Sequence, residues 1–247
     1  MSAHTHTFLF TDIVGSTRLW EDHGAAMPAA LAHHNALLET AVAASQGRVF
    51  KTMGDGVYAV FAKPGDALDA AIAAQHALCH TDWSALGLTR DLTVRMAVHA
   101  GPVQEIDGDF SGAPLNRIAR LLDAGHGAQI LLFANCPGLA TGIAEGFSLR
   151  DLGERRLPDL PGTERIVQII APGLPHAFPP LRTLDPIPHN LPTPPTALID
   201  RAPELERLRN WLSDPATRLI PVVLVTALAD TNSRIKGLEV GADDFIS

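Results

Sequence analysis

Residues 48–61 read RVFKTMGDGVYAVF, two runs rich in β-branched and aromatic residues joined at Gly54, Asp55 and Gly56. Glycine tolerates the backbone angles of a tight turn, so the pattern predicts a β-hairpin over residues 48–52 and 57–61 with Asp55 at its tip. Upstream, residues 8–20 read FLFTDIVGSTRLW, and the apolar run over residues 7–13 predicts a strand that carries Asp12 near its end. Between the two, Leu31, Leu37, Leu38 and Val42 recur at helical spacing and predict a helix over residues 25–45 that Gly47 stops. Past the hairpin, an alanine-rich helix over 65–80 turns Leu68, Ile72 and Leu78 inward. Strand patterns follow at 92–99, 130–133, 147–152 and 165–170, with a third helix over 114–124. Strand, helix, strand, strand, helix, strand is the order of the ferredoxin-like βαββαβ unit, so the expected class is α/β, an α+β sandwich on that core.

A chain of 247 residues, 46% of them hydrophobic, can bury one good-sized core and something smaller. The expected division is a domain over residues 1–171, a linker over 172–195 and an extension over 196–247. Nine prolines in the 24 linker residues make that stretch stiff and extended. Nineteen basic against 27 acidic residues give a net charge of -8, and no basic run exceeds a pair, which argues against a nucleic-acid groove. Cys79 and Cys136 have no CxxC spacing, so neither a disulfide framework nor a zinc site is expected. No apolar run approaches the roughly 20 residues that span a bilayer, and MSAHTHTFLF lacks the basic then apolar pattern of a secretory leader. The expected location is the cytoplasm, with no membrane partner.

Two aspartates at adjacent strand ends suit a pair of magnesium ions, because that hard cation prefers carboxylate oxygen and substrate phosphate. The expected metal set is Asp12, the backbone of Ile13, and Asp55. Asn116 and Arg120 lie four apart in GDFSGAPLNRIARLL and share a helix face, from which an amide and a guanidinium can meet a ribose oxygen and a pentavalent phosphorus. Lys51 and Asp109 flank this machinery. A lysine near N1 and an aspartate accepting from the exocyclic amine suit adenine, whereas guanine wants donors and acceptors reversed. The amides of Ile13, Val14, Gly15, Ser16 and Thr17 can cradle a triphosphate where a helix begins. Singly, each residue has a plainer reading as a turn aspartate, a solvated helix face or a surface charge; jointly they describe a nucleotide site.

Five blocks in order carry a resemblance to the catalytic domain of class III nucleotidyl cyclases: FLFTDIVGSTRLW, KTMGDGVYAVF, VRMAVHAGPV, GDFSGAPLNRIARLLDAGHGAQIL and DLGERRLPDL. The resemblance covers residues 7–170. It implies that Asp12 and Asp55 hold two Mg2+ or Mn2+ ions, that Lys51 and Asp109 select ATP, and that Asn116 and Arg120 serve the transition state. It implies a head-to-tail homodimer with two shared sites, in which one subunit supplies the metal aspartates and the other the purine and transition-state residues. The implied reaction makes 3′,5′-cyclic AMP and pyrophosphate. Many relatives carry a triphosphate-binding lysine in the last block, where this chain has Arg156, Leu157, Pro158 and Asp159, so Arg155 or Arg156 is the expected replacement.

Two other readings stand beside an adenylate cyclase: a guanylate cyclase, and a nucleotide-binding or dimerisation module without activity. A diguanylate cyclase shares the split unit, but Gly54-Asp55-Gly56 lacks its GG[DE]EF signature. In the extension, residues 196–220 resemble the lead-in to a signalling ATPase module whose GxxxxGK[ST] loop never follows. Residues 221–247 resemble the latter part of a response-regulator receiver domain, with Thr226 at its switch position. Strands near 221–226 and 243–247 and helices over 204–212 and 230–241 are expected there.

Overall fold

The computed structural model describes residues 4–106, 108–136, 147–185, 223–225 and 244–246. The chain divides into two compact units, Met1–Asp185 and Pro186–Ser247. In the first, the elements run β1 (His4–Ile13), α1 (Ser16–His23), α2 (Met27–Ala44), β2 (Arg48–Met53), β3 (Gly56–Phe61), α3 (Pro64–Cys79), a 3-10 turn (Trp83–Leu86), β4 (Val94–Ile106), β5 (Asp109–Ser111), α4 (Ala113–Ala124), β6 (Ile130–Phe133), β7 (Ser148–Arg155) and β8 (Glu164–Ile170). They form a mixed α+β fold around an eight-stranded sheet of order β2-β3-β1-β4-β6-β8-β7, with β5 paired to β4. The run β4-β1-β3-β2 is the split βαββαβ order expected from the sequence.

Alternation along β1 sorts side chains to the two sheet faces. Leu9 and Ile13 join Leu38, Leu68 and Trp83 in a core under α2 and α3, while Phe8 and Phe10 join Phe110, Ile118 and Leu121 in a second core under α4. Asp12 shares parity with Phe8 and Phe10, so it faces the α4 side. Strand β4 runs to Ile106, past the expected end at 99, because it turns back into the short β5. That hairpin places Asp109 opposite Ile106.

The end of α2 differs from the expectation in one respect. Gln46, not Gly47, takes the left-handed angle at φ 58°, and the Gly47 amide then donates to Val42 O at 2.8 Å. Gly47 is needed for space: a β-carbon there would lie 2.2 Å from the Phe61 ring.

The first unit extends through the first fourteen residues of the proline-rich stretch. Leu174 is buried, Leu181 packs on the α4-side core, and residues 182 and 184 bond to the body of the domain. In the second unit, β9 (Val223–Val225) and β10 (Asp244–Ile246) pair in parallel with Asp244 opposite Val223. The helices expected over 204–212 and 230–241, and Thr226, lie outside the described residues.

Candidate active site

The β2–β3 turn is a two-residue loop, with Met53 paired to Gly56 and Gly54 at φ 62°. It aims Asp55 at the end of β1, where Asp55 Oδ2 accepts from the Ile13 amide at 3.2 Å. Asp12 is the preceding residue, so two carboxylates and the backbone of Ile13 share one corner. Burial pushes the Asp12 carboxyl above the ordinary carboxylate range, against the pull of Arg95, and the Asp55 charge pushes the same way. A divalent cation would reverse that cost, and the oxygen-only donor set suits a hard ion. No group of three or more His, Cys, Asp or Glu side chains that could hold a metal exists among the described residues, so the corner needs substrate phosphate or water to complete a coordination shell.

Of the five residues expected to cradle phosphate, two already spend their amides. Ile13 donates to Asp55, and Val14 donates to Thr93 O at 2.9 Å. Gly15, at φ 69°, is the N-cap of α1, so the chain turns there and Ser16 and Thr17 open the helix. First-turn amides have no partner within a helix, which leaves those of Ser16 and Thr17 pointing toward the N-terminal end.

Register brings a further residue to the corner. Asp12 pairs with Arg95 across β1 and β4. Arg95 Nε and Nη2 donate to Asp12 Oδ2 at 2.9 and 2.7 Å, and its side chain is only 17% exposed. The same guanidinium reaches α4, with Nη1 donating to Asp123 O at 3.1 Å and Nη2 lying 3.2 Å from Asp123 Oδ1. The stretch VRMAVHAGPV carries no local sign of this role for Arg95, because only the β1–β4 register places it against Asp12.

Asn116 and Arg120 both lie on α4, whose Ile118, Leu121 and Leu122 face the core, and Asn116 is exposed. Arg120 is held from two sides: Nη2 is 2.6 Å from Asp159 Oδ2, and Nη1 is 3.7 Å from Asp123 Oδ2. Asp159 sits at φ 59°, just past Pro158, in a loop anchored by buried Leu157. The late block therefore meets the site through Asp159. Arg156 is exposed and uses its backbone, accepting from Leu184 N and donating to Asp185 Oδ2, both at 2.8 Å. Beside Arg120, Arg117 pairs with Glu164 at 2.8 Å and lies over the Phe133 ring, which ties α4 to β8.

Lys51 Nζ and Asp109 Oδ2 meet at 2.9 Å, and both side chains are exposed. The Lys51 bond is the main cause that holds the Asp109 carboxyl below its ordinary range, with the Phe110 amide adding to it. Next to them Arg48 bonds to Glu105 Oε1 at 3.2 Å, closing β2 against the β4–β5 hairpin.

Residues 2–111 match the model of the adenylate and guanylate cyclase catalytic domain. An uncharacterised protein of Mycobacterium tuberculosis is 34% identical over 182 residues, 72% of this chain and 60% of that protein. An adenylate cyclase of Schizosaccharomyces pombe is 30% identical over 201 residues, 64% of this chain but 12% of the fungal protein. The chain thus spans about 60% of the mycobacterial relative and a small part of the fungal one. Among solved structures, an adenylate cyclase from Trypanosoma brucei in its monomeric state superposes with a TM-score of 0.63 at 23% identity, covering 72% of this chain and 92% of that one. The family match is confined to residues 2–111, and the solved structure shares the fold. No helix among the described residues is long and apolar enough to cross a membrane.

Proposed function

We propose that the unit Met1–Asp185 is the catalytic domain of an adenylate cyclase, closing ATP to 3′,5′-cyclic AMP with release of pyrophosphate. The observation that carries this reading is the corner in which Asp55 bonds to the Ile13 amide beside Asp12, on the same sheet as the Lys51–Asp109 pair. In the reaction the ribose 3′ oxygen bonds to the α-phosphorus, the bond from that phosphorus to the pyrophosphate oxygen breaks, and the 3′ proton is lost. Asp12, Asp55 and the Ile13 carbonyl would hold Mg2+ or Mn2+, two ions in the full reading. Bound there, such ions lower the pKa of the attacking hydroxyl and neutralise phosphate charge. Arg120 stabilises the charge that develops on the α-phosphoryl oxygens, and Asn116 orients the ribose. Arg155 or Arg156, of which Arg156 is exposed, would supply the triphosphate-facing cation that Pro158 cannot.

Lys51 donates to adenine N1 and Asp109 accepts from the 6-amino group, a pairing that guanine mismatches at both positions. The reading takes two protomers head to tail, with Asp12 and Asp55 of one facing Lys51, Asp109, Asn116 and Arg120 of the other. The site is therefore incomplete in a monomer, and the cytoplasm, where ATP is plentiful, is the expected setting.

The test is product formation by the purified full chain given ATP or GTP with Mg2+ or Mn2+, separated by chromatography, with Asp55→Ala as control. Cyclic AMP from ATP, lost in the variant, is the expected result. Cyclic GMP from GTP instead would move the reading to a guanylate cyclase. No product from a folded, dimeric sample would leave a nucleotide-binding module.

A further inference from the structure

Five charged side chains form an unbroken chain across the site: Asp12, Arg95, Asp123, Arg120 and Asp159. Asp123, at the end of α4, is the shared member. Its Oδ1 and main-chain oxygen take Arg95, and its Oδ2 faces Arg120. Arg95 therefore has two anchors, one on the carboxylate expected to bind metal and one on a residue outside the metal corner. A cation that takes Asp12 Oδ2 must displace two Arg95 hydrogen bonds, at 2.9 and 2.7 Å. A displaced guanidinium without a second anchor stays a competitor for Asp12, since nothing else fixes it.

We propose that Asp123 is a positioning residue that retains Arg95 when metal replaces it on Asp12, keeping the guanidinium at the rim of the site and out of the metal's place. The proposal rests on the reading of Asp12 and Asp55 as metal ligands. Asp123 itself touches neither metal nor substrate; it acts through Arg95. The helix supports the role physically. The main-chain oxygen of Asp123 belongs to the last turn of α4, where carbonyls lack helical partners and the helix carries partial negative charge, so it attracts a cation independently of the carboxylate. A side-chain change at residue 123 therefore weakens the anchor without removing it.

The experiment is a titration of the nucleotide-free full chain with Mn2+, read by electron paramagnetic resonance of the free ion, on the wild type, Asp123→Asn, Arg95→Gln, the double variant and Asp55→Ala. The expected pattern is a dissociation constant lowered several-fold in Arg95→Gln, which removes the competitor, and raised several-fold in Asp123→Asn, which loosens its anchor. In the Arg95→Gln background, adding Asp123→Asn should change the constant less than twofold. Asp123→Glu should restore the wild-type value. Equal weakening by Asp123→Asn in both backgrounds would mean a through-space charge effect and overturn the proposal while leaving the metal site standing. Wild-type binding unchanged by Asp55→Ala would overturn the metal reading, and this proposal with it.

Discussion

Lys51 on β2 and Asp109 on β5 meet at 2.9 Å although 58 residues separate them, because β2 and the β4–β5 hairpin are closed on each other by Arg48 and Glu105. Each carries the hydrogen-bonding sense that adenine needs. The double change Lys51→Glu and Asp109→Ser supplies an acceptor for the guanine N1 and N2 protons and a donor for O6. The ratio of kcat/KM for ATP over GTP should fall by at least about 100-fold, as expected when buried or edge-on polar partners are mismatched. Turnover of the two triphosphates checks this; an unchanged ratio would remove both residues from purine recognition.

At the corner it shares with Asp55, the Asp12 carboxylate is partly buried. Its folded-state pKa lies above the ordinary value, so the fold favours its neutral form, and ionising it at neutral pH costs stability that is present in acid and lost as pH rises. Asp12→Asn keeps the shape without the charge. Its melting temperature without metal should equal or exceed that of the wild type, while cyclase activity falls by about 100-fold or more, the scale of losing an electrostatic transition-state contact. Calorimetry with an activity assay checks both. A large loss of stability would show that the Arg95 pair holds β1 to β4.

His99 gives a pH dependence of a different origin. It is 6% exposed, its Nδ1 has no partner, and burial first, then the Arg117 charge, push its pKa down to about 4. The folded pKa lies below the unfolded one, so the stabilising effect is full above pH ~6.5 and is lost as pH falls toward about 4. The loss should amount to roughly 3 kcal/mol across that window, from a shift of about two and a half units at 1.36 kcal/mol each. Urea unfolding from pH 7.5 to 4.5 should show a shallower slope in His99→Leu, and an identical slope would sink the assignment.

The strap formed by residues 172–185 belongs to the domain in energetic terms. Leu174 is buried, the His126 ring meets Pro180 O at 2.9 Å, and Gln168 Nε2 and an Arg150 nitrogen both donate to His176 O. A chain ending at residue 185 should melt as the first unit does in the full chain. One ending at residue 173 should lose about 3 kcal/mol or more, from one leucine at about 2 kcal/mol and several hydrogen bonds at about 1 kcal/mol each. Denaturant melts of the two truncations distinguish the cases.

Much of this was legible in the chain. The spacing of Leu31, Leu37 and Leu38, the glycines around Asp55 and the apolar run before Asp12 carry the βαββαβ order, because periodicity reports which face is buried. Asp12 and Asp55 stand at the ends of apolar runs, and Lys51 and Asp109 at short spacings before Asp55 and Asn116. Arg95 and Asp123 have no such mark, since each owes its place to a partner 83 or 28 residues away and neither breaks a local pattern. The strap reads as linker in sequence because prolines mask packing: Leu174 and Leu181 stand too far apart to form a helical or alternating signal. Asp159 was hidden in a loop whose left-handed backbone has no signature in its side chain.

The strap's final residues also fix where force enters the domain. Arg182 N bonds to Ala124 O at 3.0 Å, one residue past Asp123, and Leu184 and Asp185 grip Arg156, three residues before Asp159. Tension along the chain after residue 185 would enter at the end of α4 and at Arg156, the residue after β7, on the two sides of the clamp around Arg120. A pull on the strap would therefore be felt at Asp123 and Asp159, the two carboxylates that hold Arg120, within a few bonds of where it enters.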